Sequence, residues 1–460
     1  MSSARLVVVG GGISGLAAAW QAAAAGLSVT VLEGSSRVGG KLAVEQVAGV
    51  SVDVGAEALL TTRPEGVALL ADAGLAEQRI SPLTTAAQVR AGGATHPLPA
   101  RTMMGIPSDA DALRASGAVS AQAVAAVAAE PELPPLPSLV DDVSVGRLVR
   151  ERLGAEIADR LVEPLLGGVY SGRVDELSLR ATVPRLAERL AAGGSLVEAA
   201  AAAAGAGTRP SAGPIFTSLR GGLGRLPNAL VAAGAFDVRL GVTARALRRT
   251  PTGFALDCGP APDPELIEAD AVIVALPPAK AARLLREVAP SAAAELAGIE
   301  TANMAIVSFA FAGVTAPAGS GLLVGAGERL ATKAITLSSQ KWPLDTELLM
   351  LRASVGRAGE SQALRFDDAD LIELVRRELR PLLGVDAQPV DARVTRWGGG
   401  LPQYGVGHLE RIARVRAAVA AVPGLAVCGA AFDGVGVPAC VAAARAAVER
   451  VLAAAPAGGQ

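Results

Sequence analysis

Three observations predict an α/β fold. The chain opens on an apolar run, Arg5-Leu6-Val7-Val8-Val9, which breaks into Gly10-Gly11-Gly12-Ile13-Ser14-Gly15 and then reads as a helix. A second apolar run ends in Glu33, 18 residues beyond Gly15. The chain closes on Leu425-Ala426-Val427-Cys428-Gly429, a glycine turn and a last helical stretch. Strand, glycine turn and helix therefore recur at both ends of the chain.

The opening unit carries a chemical reading. Gly10 permits the tight turn, Gly12 lets backbone approach a pyrophosphate, and Gly15 lets helix and strand pack closely. Ile13 and Ser14 start a helix whose amino-terminus offers free N–H groups and a partial positive charge to phosphate. Glu33 stands where a carboxylate accepts hydrogen bonds from a ribose diol. The spacing predicts an adenine dinucleotide; the competing reading is an ordinary strand–turn–helix whose glycines serve only the turn. After Glu33 the chain continues Gly34-Ser35-Ser36-Arg37-Val38-Gly39-Gly40-Lys41-Leu42. Gly39 and Gly40 expose further N–H groups, and Arg37 is placed to neutralise phosphate charge. This doublet resembles the flavoprotein family of amine oxidases and carotenoid desaturases, in which FAD is the resident cofactor.

Bulk properties exclude several classes. A chain of 460 residues divides into two or three lobes. Its net charge of −2 offers no polybasic surface for nucleic acid. Cys258, Cys428 and Cys440 have neither metal spacing nor a disulfide framework, which suits a reducing cytoplasm. With only His96 and His408, no metal centre is expected. The first strand starts within a few residues of Met1, leaving no room for a cleavable peptide, and no run reaches the ~20 apolar residues of a membrane span.

Along the chain, residues 1–75 form the first part of the dinucleotide domain, ending in the strand-and-turn Val52-Asp53-Val54-Gly55-Ala56-Glu57. Residues 76–215 read as a helical lobe with part of the substrate region; Leu148, Leu153, Ile157, Leu161 and Leu165 recur at helical spacing. Ala199 to Gly213 reads as a loose low-complexity connection. Residues 216–286 return to the dinucleotide domain, with a strand over Val238–Leu247 and a buried strand, Asp270–Ala275, stopped by Pro277 and Pro278. Residues 287–399 alternate as strands, as in Ala305–Phe311, followed by an amphipathic helix over 368–383. Residues 400–460 complete the dinucleotide domain. There Pro438 suits the first turn of a helix running to about Leu452, with Val441, Val448 and Leu452 on one face. The competing reading of this closing segment is a glycine turn before a surface helix.

Intermediate motifs narrow the resemblance. Glu163-Pro164-Leu165-Leu166-Gly167-Gly168-Val169-Tyr170-Ser171-Gly172, Ser338-Ser339-Gln340-Lys341-Trp342-Pro343 and Leu401-Pro402-Gln403-Tyr404-Gly405-Val406-Gly407-His408 together resemble the FAD-dependent protoporphyrinogen/coproporphyrinogen III oxidases of haem biosynthesis, of actinobacterial type. That resemblance implies a Rossmann-like FAD-binding domain of the amine oxidase/porphyrinogen oxidase type, a mixed-sheet substrate domain, and a helical lobe like the relatives' membrane domain. It implies six-electron oxidation of coproporphyrinogen III, with oxygen as acceptor and hydrogen peroxide released. Protoporphyrinogen IX is the alternative main substrate; another flavin oxidase or a non-enzymatic escort protein of this fold are the further alternatives. A cytoplasmic location follows, with peripheral contact to a membrane or a haem-pathway enzyme left open, as is the oligomeric state.

For the cofactor, the expected residues are Gly10, Gly12, Ile13, Ser14, Gly15, Glu33, Gly34, Arg37, Gly40 and Lys41 at one end. By resemblance, Val242 serves the adenine, Gly429, Val435 and Val437 serve the flavin pyrimidine, and Trp397 lies near that segment. For the substrate, the candidates are Arg63 and Lys341 on propionates and the strand Gly321-Leu322-Leu323 facing the ring. No acid or base is assigned, because hydride removal from a methine bridge is the cofactor's chemistry. Two departures stand out: Gly55-Ala56-Glu57 replaces the Gly-Pro of mitochondrial and plant relatives, and Gly325 stands where proline is expected.

Overall fold

The computed structural model describes residues 4–205 and 214–454. A five-stranded parallel sheet lies at one end, in the order Asp237–Leu240, Ser28–Glu33, Arg5–Val9, Ala271–Val274, Leu425–Val427. Three distant stretches of sequence therefore build one sheet. Its three inner strands are short, largely apolar runs covered on both faces, as parallel sheets require, whereas the edge strand Asp237–Leu240 has no buried residue. Leu6 and Val8 face a core built with helices Ile13–Ala24 and Val437–Ala454. Val7 and Val9 face the opposite core, shared with helices Pro278–Leu285, Pro290–Ala297 and His408–Ala420. This is the two-residue alternation of a strand put to use on both sides.

A second body is a mixed seven-stranded sheet, ordered Asp391–Pro402, Thr301–Phe311, Leu349–Val355, Thr332–Thr336, Gly321–Val324, Ala87–Ala91, Ala94–Pro97. Its one parallel pairing joins Gly321–Val324 to Ala87–Ala91. Helix Asp368–Leu383 covers one face with Leu371, Val375, Leu379 and Leu382. The third body is helical, with Leu148, Leu153, Ile157 and Leu161 buried in its core.

Three expectations need correcting. The strand over Val238–Leu247 is two strands, Asp237–Leu240 and Ala244–Thr250; Gly241, at φ +71°, turns the chain between them. The alanine tract is ordered through Gly205 as the helix Leu196–Gly205, with Ala199, Ala200 and Ala203 buried; residues 206–213 lie outside the described residues. Val441 and Val448 are buried on the closing helix, but Leu452 is exposed.

Candidate dinucleotide and substrate site

The two glycine turns of the first domain touch each other. The Gly39 N–H donates to the Gly11 carbonyl at 2.7 Å. Gly12 and Gly39 form an isolated bridge. Gly10, Gly39 and Gly40 sit at φ +113°, +101° and +56°, where side chains are strained. A Cβ on Gly15 would lie 1.8 Å from the Gly10 carbonyl oxygen, so this glycine serves packing. Gly12 differs: a Cβ there meets nothing within 4 Å. It caps helix Ile13–Ala24 without a side chain, so the helix amino-terminus is left to an anion.

Glu33 ends its strand beside this turn. Its carboxylate accepts the N–H groups of Gly11 and Ser35, both at 2.8 Å. The Glu33 carbonyl accepts the Val242 N–H at 2.9 Å, so Val242 stands next to the acid although it belongs to a turn and not to a strand. Gly34 lies against Thr243. Arg37 donates to the carbonyls of Val38 and Gly40 at 3.1 and 2.8 Å and lies 5.8 Å over the Trp397 ring. Its guanidinium therefore braces the second glycine turn. Trp397 in turn donates to the Val54 carbonyl at 2.8 Å, which places it by residues 37–55.

The far end of the chain returns to this place. The Cys428 sulfur is 3.9 Å from the Ser14 carbonyl, and the Cys440 sulfur is 3.9 Å from the Gly434 carbonyl. Burial lowers the pKa of Lys41, and the neighbouring Cys440 and Lys280 modulate it in opposite directions. Gly429 and Gly434 take φ of +138° and +131°, and a Cβ on Gly429 meets nothing within 4 Å. Val437 is buried at the start of the closing helix. Val435 leans on the helical lobe, as does Leu323 of the seven-stranded sheet. Open backbone at Gly12 and Gly429, an uncapped helix start and the Glu33 carboxylate form a cradle that fits an extended dinucleotide.

The seven-stranded sheet turns its second face toward this cradle. Register places Met304, Ile306 and Ser308 beside Arg352 and Ser354, then Ala334 and Thr336, then Gly321 and Leu323. Ser308, Ser354, Ala334, Thr336 and Gly321 give this face mostly small side chains. Arg352 reaches across to the carbonyls of Asp53 and Gly55, both at 2.8 Å, tying sheet to cradle. Gly321 is an interior strand residue whose Cβ would lie 2.3 Å from the Ile335 carbonyl oxygen; close strand approach explains it. Leu322 points the other way, into the core under helix Asp368–Leu383, so its side chain does not face the ring.

The two expected propionate cations are placed otherwise. Lys341 is bound to Glu57 at 2.5 Å and lies over Phe216 and Trp342. Arg63 sits in a separate groove of about 440 Å³ with Arg416, Asp433 and Arg450, near Glu65. For Lys341 the partner lies 284 residues away, which local spacing does not reveal.

Sequence reasoning also missed a charged cluster under the Gly55 turn. Glu57 is buried and pairs with Lys341 and, at 2.9 Å, with Arg352. Desolvation opposes its ionisation, but these two cations hold its pKa below the ordinary value. Burial pushes Asp53 up to about 6 against the N–H groups it accepts from Gly224 and Leu223. Lys333 is buried on a bulge, bonded to the Ser171 hydroxyl, and burial with nearby Arg357 lowers its pKa to about 7. The family departures are explained here too. The N–H groups of Ala56 and Gly325 donate to Lys41 and Arg90 carbonyls at 3.1 and 3.0 Å, bonds proline cannot make.

Two facing glycine turns beside an uncapped helix start fit the phosphates of a dinucleotide. The chain belongs to the flavin containing amine oxidoreductase family, whose model matches residues 13–452. It is 38% identical to the coproporphyrinogen III oxidase of Mycobacterium leprae, over 98% of this chain and 99% of that one. It is 31% identical to the coproporphyrinogen III oxidase of Bacillus subtilis, over 97% and 98%. A crystal structure from Exiguobacterium sp. 255-15, of a protein assigned as a protoporphyrinogen oxidase, superposes with a TM-score of 0.86 at 33% identity, covering 98% of each chain. The cofactor is FAD.

Proposed function

We propose that this chain oxidises coproporphyrinogen III to coproporphyrin III, with oxygen as the electron acceptor. Six electrons and six protons leave the macrocycle in three two-electron rounds, and three O2 become three H2O2. The observation that carries the reading is the meeting of both chain ends at one cradle, set against a sheet face of small side chains. FAD, when bound, supplies two-electron acceptor chemistry. The pyrophosphate would rest on Gly10, Gly12, Ser14 and the helix start at Ile13, with Gly39 and Gly40 opposite. Glu33 would hold the ribose diol and Val242 the adenine edge. Gly429, Val435 and Val437 would address the pyrimidine.

The substrate ring would lie over Gly321, Ala334, Thr336 and Ser354, with Leu323 at its edge. Those residues orient it and exclude water, which a flat apolar ring favours. Lys41, half-buried beside the second glycine turn, is the cation offered to a carboxylate arm. The test is porphyrin emission from the purified protein supplied under air with coproporphyrinogen III or protoporphyrinogen IX. Faster porphyrin formation from coproporphyrinogen III supports the proposal. Faster formation from protoporphyrinogen IX moves the assignment to that substrate, and no emission from either overturns it.

A further inference from the structure

The segment Tyr404–His408 has no role in the reading above. The structure gives it one. Tyr404 is buried in the core of the helical lobe, and its carbonyl accepts the Ser178 N–H at 2.8 Å. Its hydroxyl leaves that lobe and enters the turn that follows strand Leu425–Val427. There it donates to the Ala430 carbonyl at 2.5 Å and accepts the Gly434 N–H at 2.9 Å. His408 stacks on Tyr404 with ring centroids 4.0 Å apart. Burial lowers the His408 pKa, which favours the neutral ring, and Nε2 meets the Ala431 carbonyl at 2.8 Å. A carbonyl only accepts, so Nε2 carries the proton. Farther along the same helix, Arg416 holds Asp433 at 2.6 and 2.7 Å.

Three backbone groups of one turn, at 430, 431 and 434, are thus fixed by two side chains from one short segment. The turn needs fixing. Gly429 and Gly434 have φ of +138° and +131°, and glycine gives such turns little stiffness of its own. The turn leads straight into helix Val437–Ala454, whose first N–H groups have no partner within the helix.

We propose that Tyr404 and His408 are positioning residues for the flavin: they clamp residues 430–434 so that the start of the closing helix meets the isoalloxazine pyrimidine, and Tyr404 links that contact to the helical lobe. The proposal rests on the FAD reading above. It acts on the reduced, negatively charged cofactor more than on the oxidised one, because donors and a helix amino-terminus stabilise negative charge. Loosening the clamp therefore weakens binding of the reduced form preferentially.

The test compares wild type with Tyr404→Phe, which removes only the hydroxyl, and with Tyr170→Phe, whose ring packs on Tyr404 without reaching the turn. The readouts are FAD dissociation constants, the visible flavin band and the two-electron midpoint potential. Tyr404→Phe is expected to reduce the preference for the reduced cofactor about tenfold, a shift of ~30 mV to more negative potential. Tyr170→Phe is expected to leave the potential unchanged. A wild-type potential and flavin band in Tyr404→Phe overturn the proposal while leaving the oxidase assignment intact. Should Tyr404→Phe fail to fold, His408→Gln and His408→Leu decide. The amide of Gln restores a donor to Ala431, so a shift in Leu and its recovery in Gln support the clamp; equal potentials in both overturn it.

Discussion

Gly12 and Gly15 stand three residues apart and answer to different forces. Gly15 is held by packing against the Gly10 carbonyl, whereas open space surrounds Gly12. Gly12→Val is therefore expected to leave the melting temperature of the FAD-free protein unchanged and to bind FAD roughly a hundredfold more weakly, because its side chain fills the cofactor's approach. Gly15→Val is expected to lose stability instead, by about 1–3 kcal/mol or more. Thermal melts and FAD titrations of both variants check this. Lys333 gives a pH prediction. Its folded pKa of about 7 lies below the ordinary 10.5. Below pH 7 both states are protonated and the cost of the buried charge is complete. Between pH 7 and 10.5 the unfolded chain binds the extra proton, so stability rises with pH. Lys333→Met is expected to melt about 2–4 °C higher at pH 7, with the advantage fading toward pH 10.5. A constant difference across that range contradicts the assignment. Residues such as Gly10, Gly12 and Glu33 were legible because their arrangement is set by local spacing. Arg63, Lys341 and Leu322 were not, because Glu57, a separate groove and the far face of a sheet decide their surroundings.

At the scale of elements, the turn Asp53–Glu57 links cradle and seven-stranded sheet through Arg352. Glu57→Gln leaves Arg352 and Lys341 facing a neutral amide, and breaking such a buried pair costs about 3–5 kcal/mol. Urea unfolding at neutral pH should show that loss. Because the Glu57 pKa is lowered in the folded protein, its contribution is present at neutral pH and disappears as the acid protonates. The gap between wild type and Glu57→Gln should accordingly narrow in acid. Strands and helices with strong periodicity were readable, and the helix over 368–383 has the expected bounds. The break at Gly241 was not, since one glycine inside an apolar run also suits a strand. The alanine tract misled in the opposite sense: low complexity reads as a linker, but alanine has the highest helix propensity and packs wherever space is small. Ala199, Ala200 and Ala203 are buried for that reason.

At the scale of the molecule, three stretches converge on one parallel sheet, and the glycine turns gather at the carboxyl ends of its strands, where ligands of open α/β sheets bind. Convergence from distant sequence was legible because each stretch carries its own strand and stop signal. The pairing of Ala87–Ala91 with Gly321–Val324, by contrast, depends on a contact more than two hundred residues long that no local pattern announces. Among the described residues no helix is long and apolar enough to cross a membrane.

The central claim is that the two ends of the polypeptide enclose one FAD. It is tested most directly by releasing the flavin from purified protein by denaturation and measuring its amount by absorbance against protein concentration. One FAD per chain in the wild type, and a loss of it in both Gly12→Val and Gly429→Val, is the predicted result. Full flavin occupancy in Gly429→Val would contradict the account, since the closing segment would then take no part in the site.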